Sequence, residues 1–369
     1  MMNALQHLSP HLQQEIGPLL ARWSPFVQKV STRVNEVIAE ADQGLDGLIA
    51  DHAIDFGPMG AAFGALQARF KGIENKGGVA ADQIEEPLWE MMFRDGLSPQ
   101  DSQVLGHLHT LITREEQQLR DHVEMRYEEL HMRKSADWSR ALHRLAQSER
   151  SSELSCNQCG SPFQPKVWWK SSNEICPHCR AVNELSPGVA TVTYFGQGAH
   201  ALSHEAAWGA WQAEQQAKAA YDRLRHPTAY DHWHWLQAAR AYWTAYYQHY
   251  QSMHPGFLEA YGSIEAAVEA KLKHYTAHDP PVEQQKRDFM GHVMHAANQG
   301  NVAQVQQLVQ SFPQGIDLDD CAEAAVERHD TQAATLFLNL RYDHEQQDDP
   351  RQAWIQSELA EMMQRLHDR

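Results

Sequence analysis

The chain is 369 residues long, with 42% hydrophobic residues, a formal net charge of -17 and five cysteines. That length calls for more than one core, and no apolar run approaches the roughly 18 residues of a bilayer span, so membrane insertion is not expected. The acidity speaks against a nucleic-acid binder, which concentrates Lys and Arg to neutralise phosphates, and suits basic protein partners instead.

Residues 1–150 carry a helical period throughout and predict a helical bundle. Ser9-Pro10 and Ser24-Pro25 have the pattern of two helix starts, each a cap residue followed by proline at the first helical position. Leu12, Ile16, Leu19 and Leu20 share one face after the first start; Phe26, Val30, Val34, Val37 and Ile38 share one after the second. Met59, Phe63, Leu66 and Phe70 keep the period, and Asn75-Lys76-Gly77-Gly78 predicts a break. Ser98-Pro99-Gln100-Asp101 starts the longest helix, with an acid at the third place as in a capping box. Its apolar stripe runs from Val104 to Leu130, and a separate shorter segment with Trp138, Leu142 and Leu145 is expected to follow. Glu128-x2-His131 is half of the ligand pattern of di-iron carboxylate bundles; with no second Glu-x2-His pair in residues 1–150, it predicts a solvated helix face. The polar run Gln147–Ser155 predicts a linker.

The most specific pattern follows. Cys156-x2-Cys159 and Cys176-x2-Cys179 stand sixteen residues apart. A two-residue spacer lets both thiolates of one hook reach a single ion at about 2.3 Å, and a hairpin brings the other hook opposite. With Gly160 just after the first hook, the segment resembles a zinc ribbon. The resemblance implies a small β module, 151–195, holding one structural Zn(2+) through Cys156, Cys159, Cys176 and Cys179. Four thiolates close the shell, which leaves His178 facing solvent and no open position for a substrate. Free thiolate ligands need a reducing compartment, so the cytoplasm is expected. Val167-Trp168-Trp169 predicts a strand with one indole on each side, and Val189–Phe195 a further short strand. Residues 151–200 hold three basic residues, Lys166, Lys170 and Arg180, against three acidic ones.

Residues 196–280 return to helix and contain eight of the eleven tyrosines and five of the eleven tryptophans. Trp208, Trp211, Tyr221 and Leu224 mark one helix ended by His226-Pro227; Trp235, Ala239, Tyr242, Trp243, Tyr246, Tyr247 and Tyr250 mark a second. Phe257, Tyr261, Ile264, Val268 and Leu272 mark a third. Aromatics at this spacing are read as core. Asp279-Pro280-Pro281 opens the last region, 281–369. There Ala296–Val309 is echoed twenty-nine residues later by Ala325–Leu338, with Asp330 in the place of Asn301. A period near 30 suits paired helices, and Ala296-Ala297-Asn298-Gln299-Gly300-Asn301 with Val305 and Leu308 resembles an ankyrin-type unit, implying helical hairpins over 288–340. Asp288, His292 and His295 share a helix side and are read as a polar face. Lone Cys321, among small apolar residues, is read as core.

The expectation is a mainly α, multi-domain helical protein with a small β zinc ribbon in the middle. No phosphate-binding, nucleophile-elbow or zinc-protease motif is present in the sequence. The expected function is that of a cytoplasmic zinc-binding scaffold or adaptor for protein partners, with no catalytic residue assigned and no further cofactor. The competing readings are an enzyme whose site is assembled from histidines and carboxylates on separate helices, and a zinc-ribbon nucleic-acid binder using Lys166, Lys170, Arg180 and Trp168 or Trp169.

Overall fold

The computed structural model describes residues 2–150, 154–224, 229–277, 281–311, 318–328, 330–345 and 351–368. The architecture is mainly helical with two small two-stranded sheets near the middle of the chain. Two compact units are present, Met1–Glu205 and Ala206–Arg369.

The first unit is built on a short α1 (Met2–Leu5) and three long helices, α2 (Pro10–Asp51), α3 (Gly57–Met92) and α4 (Pro99–Arg150). At 1.5 Å per residue the 52-residue α4 is about 78 Å long. One core cluster joins Leu12, Ile16, Leu20 and Trp23 to Ala81, Ile84, Leu88 and Met91 and to Leu105, Leu108 and Ile112. The start of α2 therefore meets the end of α3 and the start of α4, and successive helices run antiparallel. Asp101 ties the corner: its carboxylate accepts from the Ser9 backbone N–H (2.8 Å) and the Ser98 hydroxyl (2.7 Å). The Ser98 oxygen in turn accepts from the Asp101 N–H, the helix start expected from the sequence. These bonds, that from Ser9 first, hold the Asp101 carboxyl below its ordinary range.

Three predicted boundaries inside this unit do not exist. Helix α2 runs through Pro18 and Pro25, because the buried stripe continues unbroken from Trp23 to Val30 and Val34. Packing on both sides, including a Trp23 indole N–H donated to Glu115 (2.9 Å), outweighs the hydrogen bonds that the prolines remove. Helix α3 runs through Gly77 and Gly78, which lie against α4. A Cβ on Gly77 would sit 3.4 Å from the Leu119 side chain, and one on Gly78 would sit 2.9 Å from the Arg120 guanidinium. These glycines serve close helix approach rather than a turn. Trp138 and Leu142 continue α4 itself, buried on the same stripe, so the predicted linker starts inside the helix. Residues 151–153 of that run lie outside the described residues.

Past α4 the chain forms two antiparallel hairpins, β1 (Leu154–Ser155) with β2 (Pro162–Phe163), and β3 (Ser172–Ile175) with β4 (Val182–Leu185). Val167-Trp168-Trp169 is not a strand. Side chains hold it instead: the Val167 N–H donates to Glu174 Oε1 (3.1 Å) and Ser172 Oγ donates to the Val167 carbonyl (3.3 Å). Val189–Phe195, predicted as a strand from its β-branched residues, is helical: α5 (Val189–Thr193) passes into a π-helical turn (Tyr194–Gly198) and α6 (Ala199–Ala206). Burial of Ala190, Thr191, Tyr194 and Phe195 on one side overrides the strand propensity.

The second unit contains α7 (Trp208–Asp222), α8 (Ala229–Met253), α9 (Phe257–Tyr261), α10 (Ile264–Tyr275), α11 (Pro281–Asn298), α12 (Val302–Ser311), α13 (Leu318–Glu327), α14 (Thr331–Glu345) and α15 (Arg351–Asp368). The breaks predicted at His226-Pro227 and Asp279-Pro280 lie outside the described residues. The predicted third aromatic helix is two helices: Gly262, at φ +73°, takes the left-handed conformation, and Ser263 Oγ caps α10 by accepting from the Ala266 N–H (3.1 Å). The aromatic stripe is core, with Tyr242, Tyr246, Tyr247, Tyr250 and Phe257 buried. Burial and crowding among these phenols push the hydroxyls of Tyr247 and Tyr250 up to about 12. Glu214 is buried too, its carboxylate accepting from the indole N–H of Trp235 (2.8 Å) and from Gln215 (2.6 Å).

A separate core cluster joins Tyr230 and Trp233 of α8 to α11 through α15, with Cys321, Ala325, Phe337 and Leu338 at its centre. Cys321 is thus a core residue, as its neighbours implied. The two echoing segments each hold a helix end, a turn and a helix start. Asn301 N–H donates to the Ala296 carbonyl (3.0 Å) and Asp330 N–H to the Ala325 carbonyl (2.9 Å). Their side-chain oxygens accept from the N–H groups of Gln304 (3.2 Å) and Ala333 (3.0 Å).

Candidate metal centre

Each hairpin of the middle module presents one CxxC hook in a tight knuckle. In the first, the Cys156 N–H donates to the Ser161 carbonyl (2.9 Å) and the Gly160 N–H to the Cys156 carbonyl (2.9 Å). In the second, Cys176 bonds to Ala181 (2.8 Å) and Arg180 to Cys176 (3.1 Å) in the same way. The residue after each hook is left-handed, Gly160 at φ +72° and Arg180 at φ +64°. Glycine adopts this conformation without strain; at Arg180 it costs about 1–2 kcal/mol, which the knuckle bonds must offset.

The two knuckles bring the four sulfurs together, all within 4.8 Å of one another. Cys156 Sγ lies 3.5 Å from Cys179 Sγ, and Cys159 Sγ 3.8 Å from Cys176 Sγ. Four thiolates about 2.3 Å from a central ion form a tetrahedron with edges of about 3.8 Å, so the spacing fits such an ion closely. Cys156 and Cys176 are buried, while Cys159 and Cys179 lie toward the surface. His178 is exposed and stands outside the cluster.

The sulfurs are not equivalent. Backbone N–H groups of Cys159 and Gln158, with the Asn183 amide, pull the Cys156 thiol down to about 6. The Ala181 amide also pulls on Cys179, but burial and the neighbouring sulfurs push that thiol up to about 12. A cation held at the centre would remove the mutual repulsion of the four thiolates.

Asn183 was not legible in the sequence. It is 2% exposed, donates from Nδ2 to Cys156 Sγ (3.6 Å) and to the Ala181 carbonyl (3.1 Å), and accepts from the Asn157 N–H at Oδ1 (2.9 Å). It thus bridges the two knuckles and orients one sulfur. Outer-shell partners of this type are worth roughly 10–100-fold in metal affinity. Asn183→Ala is expected to weaken metal binding by that order, read by competition with a chromophoric chelator, and to leave the helical circular dichroism unchanged.

The other residues considered from the sequence do not converge. Among the described residues, the only group of His, Cys, Asp and Glu side chains placed to hold an ion is the four cysteines. His292 and His295 are exposed and pack against the Trp233 ring at 5.5 and 5.7 Å. Glu128 and His131 do not sit on a solvated face. Both are half-buried on α4, His131 with its ring edge-on to Phe63 at 4.3 Å and stacked on Tyr127. Burial pushes the Glu128 carboxyl up and the His131 imidazole down; burial likewise lowers His204, with His131 adding to it, and His143.

These histidines are expected to make the first unit acid-sensitive. A folded-state value below the unfolded value near 6.5 means that the unfolded chain binds more protons. Their contribution is therefore complete above about pH 6.5 and is lost as the pH falls below it. The thermal midpoint of metal-loaded protein is expected to drop between about pH 7.5 and 5.5. His131→Phe, which keeps the ring contact with Phe63, should make that drop shallower.

The chain is thus a mainly α protein carrying a four-cysteine cluster consistent with a zinc-ribbon-like site. No protein-family model, curated protein or solved structure matches it.

Proposed function

We propose that the ion is zinc, that Cys156, Cys159, Cys176 and Cys179 are its ligands, and that the protein is a zinc-stapled scaffold for protein partners in the cytoplasm. The observation that carries the structural role of the metal is the convergence of four sulfurs within 4.8 Å of one another; four thiolates on one ion would leave no position for water or substrate. Soft thiolates in tetrahedral array suit zinc, and thiolate ligands need reducing surroundings, which favours the cytoplasm.

Two features favour protein partners. The hairpin next to the second hook exposes a directly paired Ile175 and Val182, 63% and 66% accessible, which is the composition of a contact surface rather than of a solvated one. The second reason is charge: a chain of net -17 attracts basic partners and repels phosphates. Hairpins stacked from the echoing segments of α11–α14, the ankyrin-like reading, would offer an extended face for the same purpose. Among the described residues, no helix is long and apolar enough to cross a membrane.

The test uses the full zinc-loaded chain as bait, followed by titration of purified captured proteins. A saturable partner whose affinity falls about tenfold or more with Ile175→Asp or Val182→Asp supports the reading. Tight, salt-sensitive binding of single- or double-stranded nucleic acid, weakened by Lys166→Ala or Trp168→Ala, overturns it and makes the ribbon a nucleic-acid surface.

A further inference from the structure

An open cleft of about 470 Å³ lies where the end of α4, the segment 164–170 and the turn Leu185–Gly188 meet, and its size is that of a small-ligand site. One wall is apolar, with Leu154, Pro165, Val167, Trp168, Leu185 and Pro187. Glu149, Arg150 and Lys170 supply the charged groups.

The anionic member of that set is already matched. Both Glu149 oxygens are taken, by the N–H groups of Ala190 (3.1 Å) and Thr191 (2.8 Å) and by the Thr191 hydroxyl (2.8 Å). This clamp is built in: a Cβ on residue 188 would lie 2.1 Å from the Glu149 carboxyl carbon, so only glycine fits as the structure stands.

Arg150 is arranged differently. Its guanidinium lies over the Trp168 ring, 4.3 Å from the centroid, and Trp168 is held in turn by an edge-to-face contact with Phe195 at 5.1 Å. A guanidinium held over an aromatic face can still donate its N–H groups to an oxyanion. Among the described residues no carboxylate pairs with Arg150; the same holds for Arg22, Arg114, Arg144 and Arg180, and what sets Arg150 apart is its place in the cleft over the Trp168 ring.

We propose that this cleft binds a carboxylate carried on an apolar body, with Arg150 gripping the carboxylate and the apolar residues from Trp168 to Leu185 covering the body. A carboxylate fits better than a phosphate ester. The backbone N–H groups that would cradle a phosphate are occupied by Glu149, and one planar fork matches a planar monoanion. The apolar wall favours an acyl or side-chain body over a sugar. The site goes beyond the scaffold reading and does not depend on any protein partner; it needs only the folded ribbon, which forms one of its walls.

The experiment is ligand-observed saturation-transfer NMR on the zinc-loaded full chain, with N-acetyl-leucine as probe and N-acetyl-leucinamide as its neutral twin. The acid is expected to bind at least about tenfold more tightly than the amide, and Arg150→Ala to weaken the acid by about tenfold. Lys166→Ala, outside the cleft, should leave it unchanged. Zinc content and helical signal, measured on each variant, separate loss of the site from loss of the ribbon. Equal binding of acid and amide, an Arg150→Ala variant that binds like the parent, or no transfer from the acid at about 10 mM each overturns the proposal. A tetrapeptide ending in leucine distinguishes the sources: tighter binding than N-acetyl-leucine supports a protein C-terminus, and weaker binding supports a free acid.

Discussion

Cys176→Ser protein, purified without added metal, is expected to contain close to no zinc where the parent contains one ion per chain. Cys176 is one of the two buried sulfurs, and its backbone N–H closes the second knuckle on Ala181. Serine cannot supply a thiolate, and three ligands do not complete the shell. Small modules of this kind draw most of their folding free energy from the metal, about 10–16 kcal/mol of apparent binding energy for structural zinc. The hairpins should therefore become protease-sensitive in the variant, as they should in parent protein stripped by a strong chelator. The helical circular dichroism should largely persist, because the core cluster from Leu8 to Ile112 that joins α2, α3 and α4 has no residue from the ribbon. Undamaged, reduced parent protein with a zinc content near zero would sink the assignment. A variant that retains a full complement of zinc would show that Cys176 is not a ligand.

Phe337→Ala should have the second-largest effect, and it should be confined to the other unit. Phe337 is completely buried in the cluster that joins α8 to α11 through α15. Truncation removes the ring and leaves a cavity, costing about 3–5 kcal/mol. For a unit of this size that corresponds to a fall in its thermal midpoint of about 10 °C. The cluster spanning Leu8 to Ile112 shares no residue with the one spanning Tyr230 to Met362. The variant is therefore expected to keep its zinc and to show two separated calorimetric transitions, with only one displaced. A single transition shifted as a whole, or loss of zinc on Phe337→Ala, would show that the two units unfold as one.

Both expectations rest on features of different legibility. The four cysteines could be read from spacing alone, because a CxxC hook is a local device: a two-residue spacer predisposes two thiolates to one ion whatever surrounds them. The mainly helical class and most buried faces could also be read, since Leu12, Ile16, Leu20, Val30, Val34 and Val37 announce their side of a helix by period. Even Cys321 and the Tyr242–Tyr250 stripe declared themselves as core by their neighbours.

What the sequence did not determine depends on groups far apart in the chain. Pro25 and the Gly77-Gly78 pair look like punctuation locally, yet packing across α2, α3 and α4 overrides them; the glycines mark where two helices come close. Val189–Phe195 has strand propensity and becomes helix because one side of it is buried and Glu149 caps its first turn. Asn183 and Arg180 contribute through a buried amide and a backbone angle, neither of which has a sequence signature. Glu149, Arg150, Trp168 and Gly188 form one cleft only after the ribbon folds back on the end of α4. Local chemistry therefore determined the cysteine hooks and the helical faces. The tertiary structure decided where helices continue, which charges are matched and which are left open, because those outcomes depend on burial and distance rather than on residue type.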